Sequence, residues 1–189
     1  MTIVPEINTH LTVGSTAPDF EAEAAFGERI DLKDYHGKLL LLSFFRNGAC
    51  ALCNLRVHQL IEKYPTYHAR GLEMVAVFES PRSSILEYVG KQDAPFPIIA
   101  DPTAALYQLY GVEVSEEKVN ATMADPFGQQ RIQEAAEHGF RLTPEPGSNF
   151  YRMPADFLIG RDGKIVEAFY SDLVGQHLAF EVIEHHLCG

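Results

Sequence analysis

The fold of this chain is decided by residues 38–53, whose sequence is KLLLLSFFRNGACALC. Residues 38–45 form a near-continuous apolar run bounded by glycines, which predicts a buried strand. Residues 51–69 predict a helix, because their apolar side chains repeat at i, i+3, i+4 and i+7: Val57, Leu60, Ile61 and Tyr64. Its polar residues are expected to face solvent: Arg56, Gln59, Glu62 and Lys63. Pro65 is expected to kink or end this helix.

Outward from this unit, strands and helices continue to alternate. A hairpin over 20–32 is predicted before it. The elements predicted after it are a strand at Leu72–Phe78, a helix at Pro81–Gln92, a strand at Phe96–Ala100, a helix at Asp101–Tyr110, a hairpin of Ala155–Gly160 and Lys164–Tyr170, and a helix at Gln176–Leu187. Residues 112–150 exceed a normal connection and are interpreted as an insertion, with a helix at Gln129–His138 and an acidic run at 113–117 that is solvated surface. This order predicts a single α/β domain over 1–189, with a central mixed β-sheet flanked by helices.

The composition excludes several classes of function. The chain has 189 residues and a formal net charge of −11, so neither nucleic acid nor an anionic membrane is expected as a partner. The longest apolar run, 39–45, is too short to span a membrane. Residues 1–6 contain no basic segment followed by an apolar one, so no signal peptide is predicted. We therefore expect a cytoplasmic location.

The chemistry of the Cys-x-x-Cys pair follows from its place at the start of a helix. The helix dipole and the free N–H groups there stabilise a thiolate. The i, i+3 spacing of Cys50 and Cys53 puts both sulfurs on one face of the helix. Because Cys53 belongs to the apolar stripe, Cys50 is predicted to be the exposed attacking thiolate and Cys53 the resolving partner. Arg46 is the candidate positive charge near the sulfurs.

Two other interpretations of the pair are a structural zinc half-site and two inert core cysteines. A structural zinc site needs four ligands, and the sequence contains no second Cys-x-x-Cys and no pair of histidines at zinc-ligand spacing. The third cysteine, Cys188, is interpreted as a bystander, the alternative being that it resolves across a dimer interface. No metal and no other cofactor is expected.

Four stretches, in order, resemble the thioredoxin-like superfamily, and in detail its peroxiredoxin-like (AhpC/TSA) branch. They are GSTAPDF at 14–20, LKDYHGK at 32–38, FFRNGACALC at 44–53 and MPADFLIGRDGKI at 153–165. The resemblance runs from Gly14 to about Leu187. It implies a thioredoxin fold in which Pro154 is a cis-proline facing the dithiol. It also implies that the backbone of Met153 is exposed to pair with a substrate strand.

The chain departs from the peroxiredoxin pattern at the positions that activate a peroxide. When Cys53 is placed at the peroxide-attacking position, Cys50 replaces the signature Thr and Arg46 replaces the signature Pro. Pro154 then replaces the usual hairpin Arg, which leaves Arg46 or Arg152 as the candidate to polarise a peroxide. The resemblance therefore gives the attacking role to Cys53, whereas the helix periodicity gives it to Cys50.

The main predicted function is a thiol-dependent, antioxidant reduction of peroxides through a dithiol-disulfide cycle of Cys50 and Cys53. The alternative is a thioredoxin-type protein disulfide reductase, and a third possibility is a redox sensor or binding module that does not turn over. The expected partners are a peroxide or disulfide substrate and a thiol electron donor such as a thioredoxin-like or glutathione system. The sequence leaves open whether the chain forms a homodimer. The insertion at 112–150 is a candidate lid over the dithiol.

Overall fold

The central strand of the fold is the apolar run identified above, and all seven of its residues are buried. The computed structural model describes residues 10–188, so the segment 1–6, used above to argue against a signal peptide, lies outside it. In chain order the elements are β1 (Glu21–Glu23), β2 (Arg29–Asp31), β3 (Leu39–Phe45), α1 (Ala51–Ala69), β4 (Leu72–Phe78), α2 (Arg82–Glu87), β5 (Ile98–Ala100), α3 (Ala105–Leu109), α4 (Glu116–Ala124), α5 (Pro126–Glu137), β6 (Ala155–Ile159), β7 (Ile165–Tyr170) and α6 (Phe180–Leu187).

The main sheet has five strands in the order β5-β4-β3-β6-β7. β3 pairs in parallel with β4, and β4 with β5, whereas β6 is antiparallel to both β3 and β7. β1 and β2 form a separate antiparallel hairpin. The prediction of a central mixed sheet flanked by helices is confirmed.

Both faces of β3 are buried because its side chains alternate between two apolar layers. One layer lies under α1 and α6 and takes the β3 side chains Leu39, Leu41 and Phe45. The other lies under α3 and takes the β3 side chains Leu40, Leu42 and Phe44. The two cysteines belong to the first layer, so the dithiol is anchored in the α1 side of the core.

Helix α1 has the predicted bounds, but Pro65 does not end it, and one of its residues expected to face solvent is buried. The helix continues through Pro65 to Ala69. Arg56, expected to face solvent, is buried. Its Nη2 donates to the carbonyl oxygen of Leu178 (2.7 Å), and its guanidinium carbon lies 4.0 Å from the centre of the Phe180 ring. The polar side of α1 is therefore covered by the chain that leads into α6.

Two helices begin later than predicted. The residue Asp101, expected to start a helix, instead accepts hydrogen bonds from the backbone N–H groups of Ala105 (3.1 Å) and Leu106 (2.8 Å). Its carboxylate thereby caps a helix that starts at Ala105. The last helix begins at Phe180 rather than Gln176.

The insertion contains two helices, α4 and α5, of which only α5 was predicted. The acidic run begins α4, where Glu116 and Glu117 lie in the first turn and Ser115 Oγ accepts the N–H of Lys118 (3.2 Å). Negative charge in this turn favours the helix. Helix α5 packs against both α4 and α1. The insertion is thus a helical layer laid beside the dithiol helix.

The predicted cis peptide bond at Pro154 is wrong, since every peptide bond between residues 10 and 188 is trans. The backbone ahead of this proline is already paired with the start of the insertion. The N–H of Met153 donates to the carbonyl of Glu113 (3.0 Å), and the N–H of Ser115 donates to the carbonyl of Tyr151 (2.8 Å). The trans form is the preferred isomer of an X–Pro bond. The N–H of Met153 is therefore not free to bond a substrate strand.

Candidate active site

The dithiol lies at the N-terminus of α1, where Cys50 is the N-cap residue. Cys50 Sγ accepts the N–H of Cys53, with 3.4 Å between sulfur and nitrogen. The side chain of Asn54 donates to the carbonyl oxygens of Gly48 (2.8 Å) and Cys50 (3.0 Å), which fixes the loop ahead of the helix. Both thiols are free. Cys50 is 8% exposed and Cys53 is 2% exposed.

The two sulfurs have opposite acid–base character. The hydrogen bond from the Cys53 side chain, helped by the charge of Arg46, lowers the pKa of Cys50 to about 6 in spite of burial. Burial raises the pKa of Cys53 well above its usual value, and the neighbouring Cys50 raises it further. At neutral pH the pair therefore holds a thiolate on Cys50 and a thiol on Cys53. This polarity favours Cys50 as the nucleophile, as the helix periodicity does.

Cys50 faces a cavity of about 300 Å³, whereas Cys53 does not line it. The walls are mainly apolar and come from α1, α4, α5 and the loops around them, with these lining residues: Leu52, Val119, Met123, Ile132, Leu142, Phe150 and Val174. Polar side chains gather beside Cys50: Arg46, Asn47, Glu145 and Ser148. The insertion, a candidate lid in the sequence, supplies most of the outer wall.

Arg46 lines this cavity and is buried. Its Nη2 donates to the carbonyl oxygen of Phe150, and its guanidinium carbon lies 4.8 Å from the centre of the Phe150 ring. Its Nε has no hydrogen-bond partner among residues 10–188. One buried N–H group of Arg46 is therefore without an acceptor among these residues.

The other two candidate residues lie away from the cavity. Arg152 is held by Glu79 (Nε to Oε2, 2.5 Å) and by the carbonyl of Val112 (2.7 Å), and it does not line the cavity. Pro154 is buried, and its carbonyl accepts the N–H of Ser171 (3.2 Å). Of the candidates considered from the sequence, the structure thus brings together Cys50, Cys53 and Arg46.

Two further residues of the site, Glu145 and Ser80, were not predicted from the sequence. The Glu145 carboxylate accepts the N–H of Ala49 (3.1 Å) and the hydroxyl of Ser80 (2.6 Å), whose Oγ in turn accepts the N–H of Gly48 (2.9 Å). These bonds tie the insertion to the loop that precedes Cys50. No motif marks either residue, because the contact joins positions 96 apart in sequence.

A buried contact between His177 and Asp156, also not predicted, lies on the α1 side of the sheet. His177 Nδ1 lies 3.0 Å from Asp156 Oδ2, and the two side chains are 3% and 1% exposed. Burial lowers the pKa of His177 below its usual value. Neither residue lines the cavity beside Cys50, so the pair belongs to the framework of the site.

Between residues 10 and 188 no group of three or more His, Cys, Asp or Glu side chains is placed to hold a metal ion. The described helices include none that is long and apolar enough to cross a membrane.

The third cysteine, Cys188, is exposed and does not line the cavity. Its Sγ lies 3.3 Å from Arg70 Nη2.

Comparison with known proteins places this arrangement among thiol redox proteins. Thiol-disulfide oxidoreductase ResA of Bacillus thuringiensis is 26% identical over 140 residues, which cover 71% of this chain and 80% of that protein. ResA of Geobacillus thermodenitrificans is 33% identical over 105 residues, which cover 55% of this chain and 60% of that protein.

Solved structures give the fold. A variant of peroxiredoxin 6 from Arenicola marina superposes with a TM-score of 0.67 at 18% identity, covering 94% of this chain and 72% of that one. Peroxidoxin BcpB from Mycobacterium tuberculosis has a TM-score of 0.65 at 14% identity, covering 95% and 96%. The fold is thioredoxin-like. The sequence profile of the AhpC/TSA family matches residues 13–168. The chain therefore belongs to the AhpC/TSA family and is a thioredoxin-like oxidoreductase.

Proposed function

We propose that this chain reduces hydroperoxides by cycling Cys50 and Cys53 between dithiol and disulfide, with Cys50 as the attacking thiolate. One observation carries the proposal: the sulfur with the lowered pKa faces the cavity, and its partner sulfur does not. A hydroperoxide fits a cavity of about 300 Å³, which is at the lower end of the range for ligand pockets. This volume suits a small peroxide better than a disulfide carried on a folded protein.

The chemistry follows from the polarity of the pair. The Cys50 thiolate attacks the terminal oxygen of the hydroperoxide, the O–O bond breaks, and the leaving alkoxide takes up a proton to become an alcohol. Cys50 is then a sulfenic acid. The Cys53 thiol attacks the sulfenic sulfur, gives up its proton, and releases water as the S–S bond forms. The pair has then given two electrons to one peroxide. External thiols return the disulfide to the dithiol.

Arg46 supplies the positive charge for the first step. Negative charge moves from the Cys50 sulfur to the alkoxide oxygen while the O–O bond breaks. A guanidinium that is fixed in place by Phe150 stabilises this charge without reorganising. The apolar walls favour a hydroperoxide with an apolar substituent.

A single-turnover experiment tests the proposal. The protein carries Cys188→Ser, so that Cys50 and Cys53 are its only cysteines. The reduced protein is mixed with one equivalent of cumene hydroperoxide, and thiol loss, cumyl alcohol and protein mass are followed. We expect both thiols to disappear and one alcohol to form per protein.

Single variants assign the steps. Cys53→Ser should stop at a sulfenic acid that dimedone traps on Cys50, and Cys50→Ser should not react faster than a free thiol. Trapping on Cys53 in the Cys50→Ser protein, at the wild-type rate, would reverse the assigned roles. Oxidation of the unsubstituted pair at the rate of free cysteine would refute the peroxidase function.

Disulfide reduction is the second candidate, favoured by the Cys-x-x-Cys pair and by the similarity to ResA proteins. In that case Cys50 attacks a substrate disulfide and Cys53 resolves the mixed disulfide. The assay is insulin reduction with dithiothreitol as electron source. Turnover that depends on Cys50 and exceeds the peroxide rate would make this the main activity.

A further inference from the structure

Among the cavities described in residues 10–188, one reaches the dithiol. Cys50 lines the cavity, whereas Cys53 is buried and lines none of the cavities described in residues 10–188. Any thiol that reduces the Cys50–Cys53 disulfide by attacking Cys50 Sγ therefore enters the cavity. The same holds for any thiol that later releases Cys50 from a mixed disulfide.

The outer wall of the cavity is a segment that we name the strap, residues 142–150. Its contacts to the loop before Cys50 follow one another along the chain. Glu145 accepts from Ala49 and Ser80, Ser148 Oγ lies 3.4 Å from Asn47 Nδ2, and the carbonyl of Phe150 accepts from Arg46. Glu145 is the only carboxylate among the residues that line this cavity. Its two hydrogen bonds make it the main fastening of the strap.

The backbone ahead of Pro154 is also not available for a protein electron donor to add a strand. A partner chain that adds a strand needs unpaired backbone N–H and C=O groups. The backbone before Pro154, from Tyr151 to Met153, is instead paired with residues 113–115 of the insertion. The insertion thus both forms the outer wall of the cavity and pairs with the backbone ahead of Pro154.

We propose that the strap restricts reduction of the Cys50–Cys53 disulfide to low-molecular-weight thiols, and that Glu145 is the positioning residue that enforces this restriction. The proposal rests on the dithiol-disulfide cycle of the proposed function. The thiolate of a small thiol attacks Cys50 Sγ, the S–S bond breaks, and Cys53 leaves and is protonated. A second thiolate attacks the small-thiol sulfur of the mixed disulfide, releasing the Cys50 thiolate and a small disulfide. Two electrons enter the protein and two thiols are oxidised.

The test starts from protein oxidised with diamide, which forms the disulfide without peroxide. The Cys188→Ser protein is used throughout, and its reduction by dithiothreitol is compared with reduction by reduced thioredoxin at equal thiolate concentration. We expect dithiothreitol to be the faster reductant. Glu145→Gln should raise the thioredoxin rate by roughly tenfold, since it removes one charge-assisted hydrogen bond, while leaving the dithiothreitol rate within a factor of about three.

Two further variants keep the test decisive. Glu137→Gln removes the same charge from an exposed site in the same insertion and should leave both rates unchanged. Ser80→Ala weakens the fastening from the other side and should shift the two rates as Glu145→Gln does. Circular dichroism checks that each variant is folded. A change in the ratio of the two rates is an effect that a general loss of stability does not produce.

Two results would overturn the proposal. Faster reduction of the unsubstituted chain by thioredoxin would mean that a protein docks on the exposed apolar lip of the cavity, formed by Met123, Leu142 and Phe150. Equal acceleration of both reductants by Glu145→Gln would mean that the strap does not select by size. Because diamide makes the disulfide, a chain that is inert to peroxide but keeps the selection refutes only the proposed function.

Discussion

At the scale of single residues, the reactivity of the site depends on how two chemically identical groups are made unequal. Cys50 receives the N–H of Cys53 and lies at the cavity, while Cys53 is enclosed by the core under α1. The same sulfur is thus both the better thiolate and the accessible one. A molecule that enters the cavity therefore meets the sulfur with the lowered pKa before the one with the raised pKa.

The charge of Arg46 should be visible in the pH dependence of alkylation. With the pKa of Cys50 at about 6, the rate of reaction with iodoacetamide should be constant above this pH and fall as the thiolate is protonated below it. Arg46→Met should move the midpoint upward by about one pH unit, because a nearby positive charge favours the thiolate. The Cys188→Ser background makes Cys50 the site that is measured.

Arg46→Lys is the matched control, since it keeps the charge and should hold the midpoint close to that of the unsubstituted protein. An unchanged midpoint in Arg46→Met would show that hydrogen bonding within the dithiol alone sets the pKa. A midpoint near 9 in the unsubstituted chain, the usual value for cysteine, would contradict the polarity of the pair.

The pair of Cys50 and Cys53 could be recognised in the sequence, but the residues that enclose it could not. The deeper burial of Cys53 agrees with helix periodicity, which is a local property. Arg56 was placed wrongly by the same periodicity, because the chain leading into α6 covers a side of α1 that the pattern leaves polar. The contact of Glu145 could not be predicted from the sequence, because it joins Glu145 to Ala49 only in the folded chain.

At the scale of elements, the packing of the insertion depends on one small residue. A Cβ added to Gly128 in α5 would lie 2.0 Å from the carbonyl oxygen of Thr122 in α4. Gly128→Ala should therefore push the two helices apart and lower the free energy of unfolding by about 1–3 kcal/mol. Urea denaturation measures the loss, and Gln129→Ala at the exposed neighbouring position is the control.

The same substitution should change the chemistry, because Val119, Thr122 and Ile132 belong to the cavity wall. We expect slower single-turnover oxidation by cumene hydroperoxide and faster cleavage of the insertion in limited proteolysis. A Gly128→Ala protein that keeps its stability and its oxidation rate would show that α4 and α5 do not shape the cavity.

The proline within α1 offers a second test. Pro65 is exposed and lacks the N–H that would otherwise join the helix ladder. Pro65→Ala should restore this bond and raise the free energy of unfolding by about 1–2 kcal/mol, part of the gain being offset by the greater freedom of the unfolded chain. Thr66→Ala, at the next exposed position, should give a smaller gain. Equal gains would show that the missing bond costs nothing.

Elements with self-contained patterns were predicted well, and those defined by other parts of the chain were not. The bounds of α1 and β4 agree with the prediction because their apolar periodicity alone specifies them. Helix α4 was missed because its buried residues, Val119 and Thr122, are few and follow an acidic run. The start of α3 shifted because the Asp101 side chain caps a later turn than its position suggests.

At the scale of the whole molecule, one buried network joins the sheet, α1 and the chain leading into α6. Asp156 in β6 accepts the N–H of Leu178 (2.7 Å) and contacts His177 Nδ1 (3.0 Å). Arg56 from α1 donates to the carbonyl of Leu178; burial lowers the pKa of Arg56, and the negative charge of Asp156 opposes this. The position of α1, and with it of Cys50, therefore depends on Asp156, a carboxylate that lies far from Cys50 in the sequence.

Removing this carboxylate should destabilise the whole fold. Asp156→Asn removes a buried carboxylate that accepts the N–H of Leu178 and whose negative charge favours the charged form of Arg56, and losing a buried hydrogen bond to a charged group costs about 3 kcal/mol. We expect this loss in urea denaturation at pH 7, where His177 is neutral because burial lowers its pKa. Asp34→Asn, an exposed position, is the control and should change the free energy of unfolding by less than about 0.5 kcal/mol.

The pH dependence separates this network from a generic packing defect. Burial tends to raise the pKa of Asp156, but the charge and hydrogen bond of His177 bring it below 3.8. The stability that Asp156 contributes is thus present above pH 3.8 and is lost as the pH falls through its folded pKa. His177, whose pKa is lowered from 6.5, makes the folded state bind fewer protons than the unfolded one, so stability also falls below pH 6.5. The difference between Asp156→Asn and the unsubstituted chain should therefore be full at pH 7 and shrink below pH 3.8, whereas a defect in packing alone would stay the same at both.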